Sequence, residues 1–298
     1  MSSEIEGMSP GARRAAPQAM GDTAACPKVV RGDCVRLLSE RPPASVDLIV
    51  MSAPAAARDG RGAGAIDPDG YVEWFLPRAA QMHRVLAARG SFILNIKEAD
   101  FEGERHTYVL ELILALKRQG WLWTEEYVWH KNYGDRRQEA SGQRRGRRPA
   151  NAGRLPDVWE RCLHFTKQRS FKMNQDAVRV PMGEWAQSRL KSLGKSDSVR
   201  MNSAVGNSFG KRVSNWVGRE LAYPTNVIHR TDADEPRTGT GLSASVACWF
   251  IELFSDRGDV VLDPFAVTSV TVDAATSLGR QGLGLAPRGA RRSRSTAD

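Results

Sequence analysis

A short stretch of this sequence is unusually rich in arginine. Residues 136–154 hold one acidic residue, Glu139, and seven arginines: Arg136, Arg137, Arg144, Arg145, Arg147, Arg148 and Arg154. A guanidinium group presents a planar fork of hydrogen-bond donors that matches the oxygens of a phosphate. The segment is therefore predicted to contact a phosphate backbone, although a run of solvated charges on a protein surface would have the same composition.

The charge of the whole chain favours the same kind of partner. The 298 residues include 43 Lys and Arg against 34 Asp and Glu, a net charge of +9. Such an excess favours nucleic acid first and an anionic membrane second, although a basic enzyme without a polyanionic partner would also fit it. Basic residues continue through 189–230, together with Trp216: Lys191, Lys195, Arg200, Lys211, Arg212 and Arg219.

Cysteine usage and hydrophobicity exclude several classes of protein. The four cysteines are widely scattered, without a CxxC pair or a Cys/His cluster. This distribution argues against a zinc site and a disulfide framework, and it is typical of a reduced cytoplasm. No apolar run approaches membrane-spanning length, and the N-terminus lacks a signal-peptide layout. We therefore expect a cytoplasmic protein without a metal and without a membrane segment.

The hydrophobic pattern predicts alternating strands and helices on both sides of the basic stretch. Predicted strands at 46–51, 91–96 and about 122–130 alternate with helices at 71–88 and 106–118, and after the basic stretch come a helix at 244–255, a strand at 260–263, a helix near 270–278 and a strand at 281–285. Pro77 should kink or restart the first helix, while Gly90 and Gly120 should end helices. Such alternation with short connections predicts an α/β fold, a mostly parallel sheet with helices on both faces.

The same pattern divides the chain into regions. Residues 1–27 are rich in small residues and proline and are predicted to be a disordered tail. Residues 28–135 and 241–287 are predicted to form one α/β domain, interrupted by a basic insertion at 136–240. Residues 288–298 are predicted to be a second, basic tail.

Two strings of residues give the chain a resemblance to a known family. The first runs from Gly32-Asp33 to Ser52-Ala53-Pro54, and the second is Asp263-Pro264-Phe265-Ala266. Together with weaker matches in the same order, they resemble DNA amino-methyltransferases, which modify cytosine N4 or adenine N6. The second string follows the first, which is the permuted (beta) order of that family.

The resemblance covers roughly residues 29–287 and carries several implications. It implies a class I methyltransferase-like Rossmann fold in the permuted order, with an inserted target-recognition region at the basic stretch. It also implies S-adenosylmethionine as the methyl donor and double-stranded DNA as the partner. In this arrangement Arg136, Arg137, Arg144, Arg145, Arg147 and Arg148 become the candidate DNA-binding residues.

The resemblance places the target base beside the tetrapeptide Ser52-Ala53-Pro54-Ala55. In the family, a side-chain oxygen and a backbone carbonyl accept hydrogen bonds from the amine of the extrahelical base, and an aromatic ring stacks on it. Ser52 keeps the oxygen, Ala53 lacks the fixed φ of proline, and Ala55 forfeits about 1–3 kcal/mol of stacking. Trp129 or Tyr133 could supply a ring, although packing is the simpler explanation for both.

The implied donor site is altered as well. The family continues Asp263-Pro264-Phe265-Ala266 with Gly-Ser-Gly, whereas this chain has Val267, Thr268 and Ser269. A β-branched valine at that turn is predicted to be a conformational outlier that pushes bulk toward the donor. Ala286 stands where the family has an acid that holds the ribose hydroxyls. Asp33 and Asp263 match donor-facing positions, although a helix cap and an ordinary strand end explain them too.

These replacements leave the surrounding hydrophobic pattern intact. They favour a DNA-binding pseudo-methyltransferase whose S-adenosylmethionine-dependent methyl transfer is lost or weak, serving as a partner in a restriction-modification, defence or replication system. The alternative is an active S-adenosylmethionine-dependent DNA methyltransferase, for which Ser52 favours cytosine N4 over adenine N6. A third hypothesis, an RNA-directed relative, lacks a recognisable stacking platform or RNA module in the sequence.

Overall fold

The structure is a computed structural model that describes residues 28–54, 56–57, 66–101, 103–131, 158–183, 188, 219–230 and 241–287. Both predicted tails, Ala55, Tyr133 and the arginine-rich segment therefore lie outside the described residues. Described strands are β1 (Lys28–Arg31), β2 (Val46–Ser52), β3 (Leu86–Ile96), β4 (Asp100–Phe101), β5 (Glu104–Arg105), β6 (Leu122–His130), β7 (Trp159–Thr166), β8 (Val180–Pro181), β9 (Leu221–Ala222), β10 (Val227–His229), β11 (Val260–Asp263) and β12 (Gln281–Ala286). Described helices are α1 (Cys34–Ser39), α2 (Tyr71–Val85), α3 (Tyr108–Arg118), α4 (Ala244–Phe254) and α5 (Val270–Ser277).

Eight of these strands form one sheet, in the order β1-β12-β11-β2-β3-β7-β6-β10. All neighbours run parallel except β7, which is antiparallel to both β3 and β6. The parallel strands therefore share one edge at which they all end, called the carboxyl edge below, and one edge at which they all begin, called the amino edge. The prediction of a mostly parallel sheet is confirmed.

Side chains of β2 show how the sheet is covered on both faces. Leu48 and Val50 belong to a core cluster with α4 and α5, whereas Ile49 and Met51 belong to a cluster with α1, α2 and α3. Successive residues of a strand point to opposite faces, so a continuous apolar run is the pattern expected of a strand buried on both sides. The predicted placement of helices on both faces is confirmed.

The structure corrects the prediction around α2. This helix ends at Val85, and it continues through Pro77 without a restart. The chain is already extended at Leu86, so Gly90 does not end a helix. A Cβ at Gly90 would lie 2.6 Å from the carbonyl oxygen of Asp47, and glycine is needed because the two backbones approach closely. Gly120, with φ +105°, ends α3 as predicted.

The boundaries predicted for the insertion are also corrected. Strands β7 and β10 fall within 136–240, yet both pair with β6 in the main sheet. Val178 and Ile228, also from that range, pack into the core cluster of α4. The α/β domain therefore includes described parts of the range assigned to the insertion. The target-recognition role of the rest stays a prediction.

Candidate functional site

The carboxyl edge collects most of the residues predicted from the two strings. Strand β2 ends at Ser52, β11 at Asp263 and β12 at Ala286. Asp33 follows shortly after the end of β1. It lies at the same edge, because the Gly32 amide before it donates to the carbonyl of Ala286 at 2.9 Å. Ligands of open parallel sheets bind beyond the carboxyl ends of the strands. The candidate site therefore lies at this edge.

A buried amide fixes the direction of the Ser52 hydroxyl. Asn95 is 2% exposed, and its Nδ2 donates to Glu160 Oε2 at 3.0 Å and to the Arg161 carbonyl at 3.2 Å. Both partners are acceptors, so Nδ2 must face them and Oδ1 must face Ser52, 3.0 Å from its Oγ. The hydroxyl therefore donates to Asn95, and its lone pairs stay available to accept a hydrogen bond.

Ion pairs surround this amide on the neighbouring strands. Glu160 Oε1 pairs with Lys131, and Arg161 pairs with Glu98 at 2.6 Å and with Glu126. The sequence did not indicate this cluster, because its members lie far apart in the chain. They come from β3, β6 and β7 and from the residues shortly after β3 and β6. One signal was available: Asn95 is a polar side chain inside the apolar run of β3.

The backbone that follows Ser52 is held without the first proline of the family's tetrapeptide, which Ala53 replaces. The Ala53 amide donates to the Asn95 carbonyl at 2.8 Å, and the Tyr71 hydroxyl donates to the Pro54 carbonyl at 2.8 Å. Two hydrogen bonds thus restrict the tetrapeptide in place of a proline ring. Ala55, the position of the missing ring, lies outside the described residues.

Trp129 is a core residue and not a stacking platform. It is 3% exposed, and its Nε1 donates to the Arg230 carbonyl at 3.0 Å. The packing explanation is therefore confirmed for Trp129.

Asp263 holds the turn that follows β11. Its Oδ1 accepts from the Phe265 amide at 3.0 Å, and the Thr271 side chain also donates to it. The side chain is buried, and this burial raises its pKa to about 7, since desolvation disfavours the charged form. The turn in turn contacts β12, because the Ala266 amide donates to the Leu285 carbonyl at 2.8 Å.

The turn that follows β11 is not strained at Val267. Among the described residues, Ala44 is the only non-glycine residue with a positive φ. The prediction that Val267 has an unusual backbone conformation is therefore wrong. The turn closes instead with a hydrogen bond from the Val267 amide to the Phe265 carbonyl at 2.7 Å. The Val267 side chain is 57% exposed. Ser269 precedes α5, and its hydroxyl bonds to Asp273 at 2.5 Å.

The side chains at the other positions that the resemblance assigned to the donor make local contacts. Asp33 caps α1, because its Oδ1 accepts from the Arg36 amide at 2.9 Å. Ala286 is 2% exposed and presents only a methyl group. From α2, Trp74 packs against Phe265 at 5.5 Å, and the guanidinium of Arg78 lies over the Trp74 ring at 4.1 Å. Sequence reasoning did not select Trp74 or Arg78.

The described residues on either side of the arginine-rich segment lie at the carboxyl edge. Strand β6 ends there at His130, and β7 begins there at Trp159, paired with it. The Lys131 amide donates to the Val158 carbonyl at 2.7 Å and closes the two ends together. Arg136, Arg137, Arg144, Arg145, Arg147 and Arg148 themselves lie beyond the described residues.

The described residues contain neither a candidate metal site nor a candidate membrane span. Within the part of the chain that the structure describes, no group of three or more His, Cys, Asp and Glu side chains could hold a metal ion. No helix in that part is both long and apolar enough to cross a membrane.

Comparison with known proteins identifies relatives in sequence. Residues 46–286 match the family of DNA methylases of the N6 and N4 type. Type II methyltransferase M.SfiI of Streptomyces fimbriatus is 30% identical over 173 residues, which is 50% of this chain and 38% of M.SfiI. M.BglII of Bacillus subtilis is 24% identical over 257 residues, 85% of this chain and 63% of M.BglII. The chain thus spans less than two thirds of the length of these relatives.

Solved structures share the fold. The cytosine-N4-specific PvuII DNA methyltransferase superimposes with a TM-score of 0.61 at 17% identity, covering 87% of this chain and 81% of that one. TTHA0409 from Thermus thermophilus, complexed with S-adenosyl-L-methionine, gives a TM-score of 0.54 at 19% identity over 87% of both chains. The fold, the order of the two strings and the family match agree, and the chain belongs to the DNA methylase family.

Proposed function

We propose that this chain is a DNA-binding member of the DNA methylase family in which S-adenosylmethionine-dependent methyl transfer is lost or weak. One observation carries the proposal: β12 ends in Ala286, which is buried and presents a methyl group. By the family resemblance, an acid there holds the ribose hydroxyls of the donor. A methyl group accepts no hydrogen bond, so this part of the edge does not fit the donor.

The other two acids of the donor site are engaged in local structure. Asp33 caps α1, and Asp263 accepts hydrogen bonds from its own turn. Because its pKa is raised to about 7, Asp263 is partly protonated near neutral pH. We infer that neither acid substitutes for the missing ribose ligand.

DNA binding is proposed from the charge of the basic segment and from the position of the described residues on either side of it. These residues, Lys131 and Val158, meet at the carboxyl edge, beside Ser52 and its hydrogen-bonded neighbours. Arginines placed there would contact phosphates near the same edge. Neutralised phosphates release counterions, so we expect affinity for duplex DNA to fall steeply with added salt.

The proposal is tested by measuring methyl transfer and DNA binding on the same preparation. With tritiated S-adenosylmethionine and duplex DNA, we expect no incorporation above a protein-free control, while a gel-shift assay shows salt-sensitive duplex binding. Ala286→Glu restores the ribose acid and should increase donor binding, whereas the neutral control Ala286→Gln should not. Incorporation by the unaltered chain would contradict the proposal.

A second candidate function rests on the orientation of Ser52. Its hydroxyl donates to Asn95 and keeps its lone pairs available, as required to accept from an exocyclic amine. This supports an active methyltransferase of the cytosine-N4 type. It predicts N4-methylcytosine in digested product DNA, with loss of the signal in Ser52→Ala. An unmethylated product would contradict it.

A further inference from the structure

A concave region lies at the amino edge of the sheet, away from the candidate site. It is a cavity of about 440 Å³, lined chiefly by Lys117, Trp121, Trp123, Thr124, Thr166 and Arg169. Thr166 pairs with Ser91 of β3, whereas Ser52 pairs with Asn95, four residues further along the same strand. At about 3.3 Å per residue, the cavity and the candidate site are separated by about 13 Å along the strand.

The cavity is positively charged. Lys117 extends from the last turn of α3, and Arg169 follows the end of β7. No acidic residue lines the cavity, and neither cation forms an ion pair with any residue that the structure describes. Two such cations around one small volume favour an anionic ligand, with the guanidinium supplying a fork that suits phosphate.

The wall of the cavity is aromatic. Trp123 is 41% exposed, and Leu122 beside it is 39% exposed. Trp121 also lines the cavity; it is buried and has ring contacts with His83 at 4.8 Å and with Phe92 at 5.2 Å. An exposed indole next to cations is the combination that proteins use to stack a base and hold its backbone.

We infer that this cavity binds a nucleotide, with the base stacked on Trp123 and the phosphate between Lys117 and Arg169. The volume lies within the range of small-ligand pockets, about 300–1,000 Å³. Thr124 and Thr166, whose hydroxyls lie 2.9 Å apart, add polar groups for the sugar or the base edge. A free nucleotide and one unit of a single strand share this chemistry. The inference goes beyond the proposed function, because the cavity lies at the opposite edge of the sheet.

Calorimetry with thymidine 5′-monophosphate tests this site on the full chain. We expect the nucleotide to bind more tightly than thymidine or inorganic phosphate alone. Trp123→Leu should weaken binding about 5- to 150-fold, the range expected for a lost stacking contact. Trp123→Phe should retain most of the affinity. In the double variant Lys117→Ala/Arg169→Ala, the nucleotide should bind no better than thymidine. Arg118→Ala, a cation on the same helix outside the cavity, is the matched control and should bind normally.

Other results would overturn the inference. It fails if the unaltered chain does not bind the nucleotide, or if binding persists in both Trp123→Leu and the double variant. It also fails if the nucleotide does not bind and an acidic peptide, such as acetyl-Glu-Trp-Glu-Glu, does bind and is weakened by Trp123→Leu and by the double variant. A ten-residue oligothymidylate distinguishes the sources: much tighter binding assigns the site to single-stranded nucleic acid, and equal binding to the free nucleotide. Either source sustains the inference.

Discussion

At the scale of single residues, Asn95 and Asp263 are buried polar groups with different tasks. Asn95 connects Ser52 to the β7 backbone and to Glu160, and these hydrogen bonds span 43 to 66 positions of sequence. Among the described residues, Asp263 is hydrogen-bonded to its own turn and to Thr271. The first therefore orients a hydroxyl of the candidate site, and the second stabilises local backbone.

Replacing Asn95 should destabilise the fold as well as release Ser52. Asn95→Leu leaves Glu160 without one donor in a partly buried place, which costs about 1–3 kcal/mol of unfolding free energy. Urea unfolding measures the change. Asn226→Ala is the control, since Asn226 is bonded through an exposed amide, and it should change stability by less than about 0.5 kcal/mol. An equal loss of unfolding free energy in both variants would contradict the prediction that the buried hydrogen bonds of Asn95 stabilise the fold.

Asp263 predicts a pH dependence of defined sign. Its pKa in the folded state is raised to about 7, so between the ordinary value of 3.8 and 7 the folded chain binds more protons than the unfolded chain. The contribution of Asp263 to stability is therefore largest at low pH and falls as pH rises through this window. Urea unfolding of the unaltered chain and of Asp263→Asn should show a stability difference that declines from pH 4 to pH 7.

Asp256 supplies the control for that prediction. Its hydrogen bond with Lys172 lowers its pKa, so its contribution is lost as pH falls and does not decline toward neutral pH. A stability difference for Asp263→Asn that rises from pH 4 to pH 7 would contradict the assignment.

At the scale of elements, periodicity predicted most of what the structure contains. The continuous apolar runs of β2 and β11 and the helical spacing in α2 and α3 identify their elements, because their burial depends on local pattern. Gly90 was misassigned, since its constraint comes from Asp47 on the neighbouring strand. Val267 was misjudged for a related reason: the turn adopts a conformation other than the one glycine serves in the family.

The close approach at Gly90 gives a test at this scale. In Gly90→Ala the new Cβ would meet the Asp47 carbonyl, which should cost about 1–3 kcal/mol of stability, as overpacking does. Gly183→Ala meets nothing within 4 Å and is the control. Thermal unfolding compares the two variants. A Gly90→Ala chain as stable as the control would mean that the strands separate more easily than described.

At the scale of the whole molecule, the sequence predicted the α/β class and most of the carboxyl edge, because strands of a parallel sheet end together. It did not predict that β7 and β10 belong to the sheet. These strands lie in a polar, irregular stretch of the sequence. They join the sheet by pairing with β6, and the local pattern does not show this pairing. The polar cluster behind Ser52 was missed for the same reason, since Lys131 and Glu160 lie far apart in the chain and are brought together by the pairing of β6 with β7.

Calorimetric titration of the purified chain with S-adenosylmethionine tests the central claim most directly, with duplex DNA titrated in parallel at two salt concentrations. The missing acid at Ala286 and the engagement of Asp33 and Asp263 predict no measurable heat of donor binding. Duplex DNA should still bind, and more weakly at the higher salt concentration. Micromolar binding of S-adenosylmethionine would contradict the account.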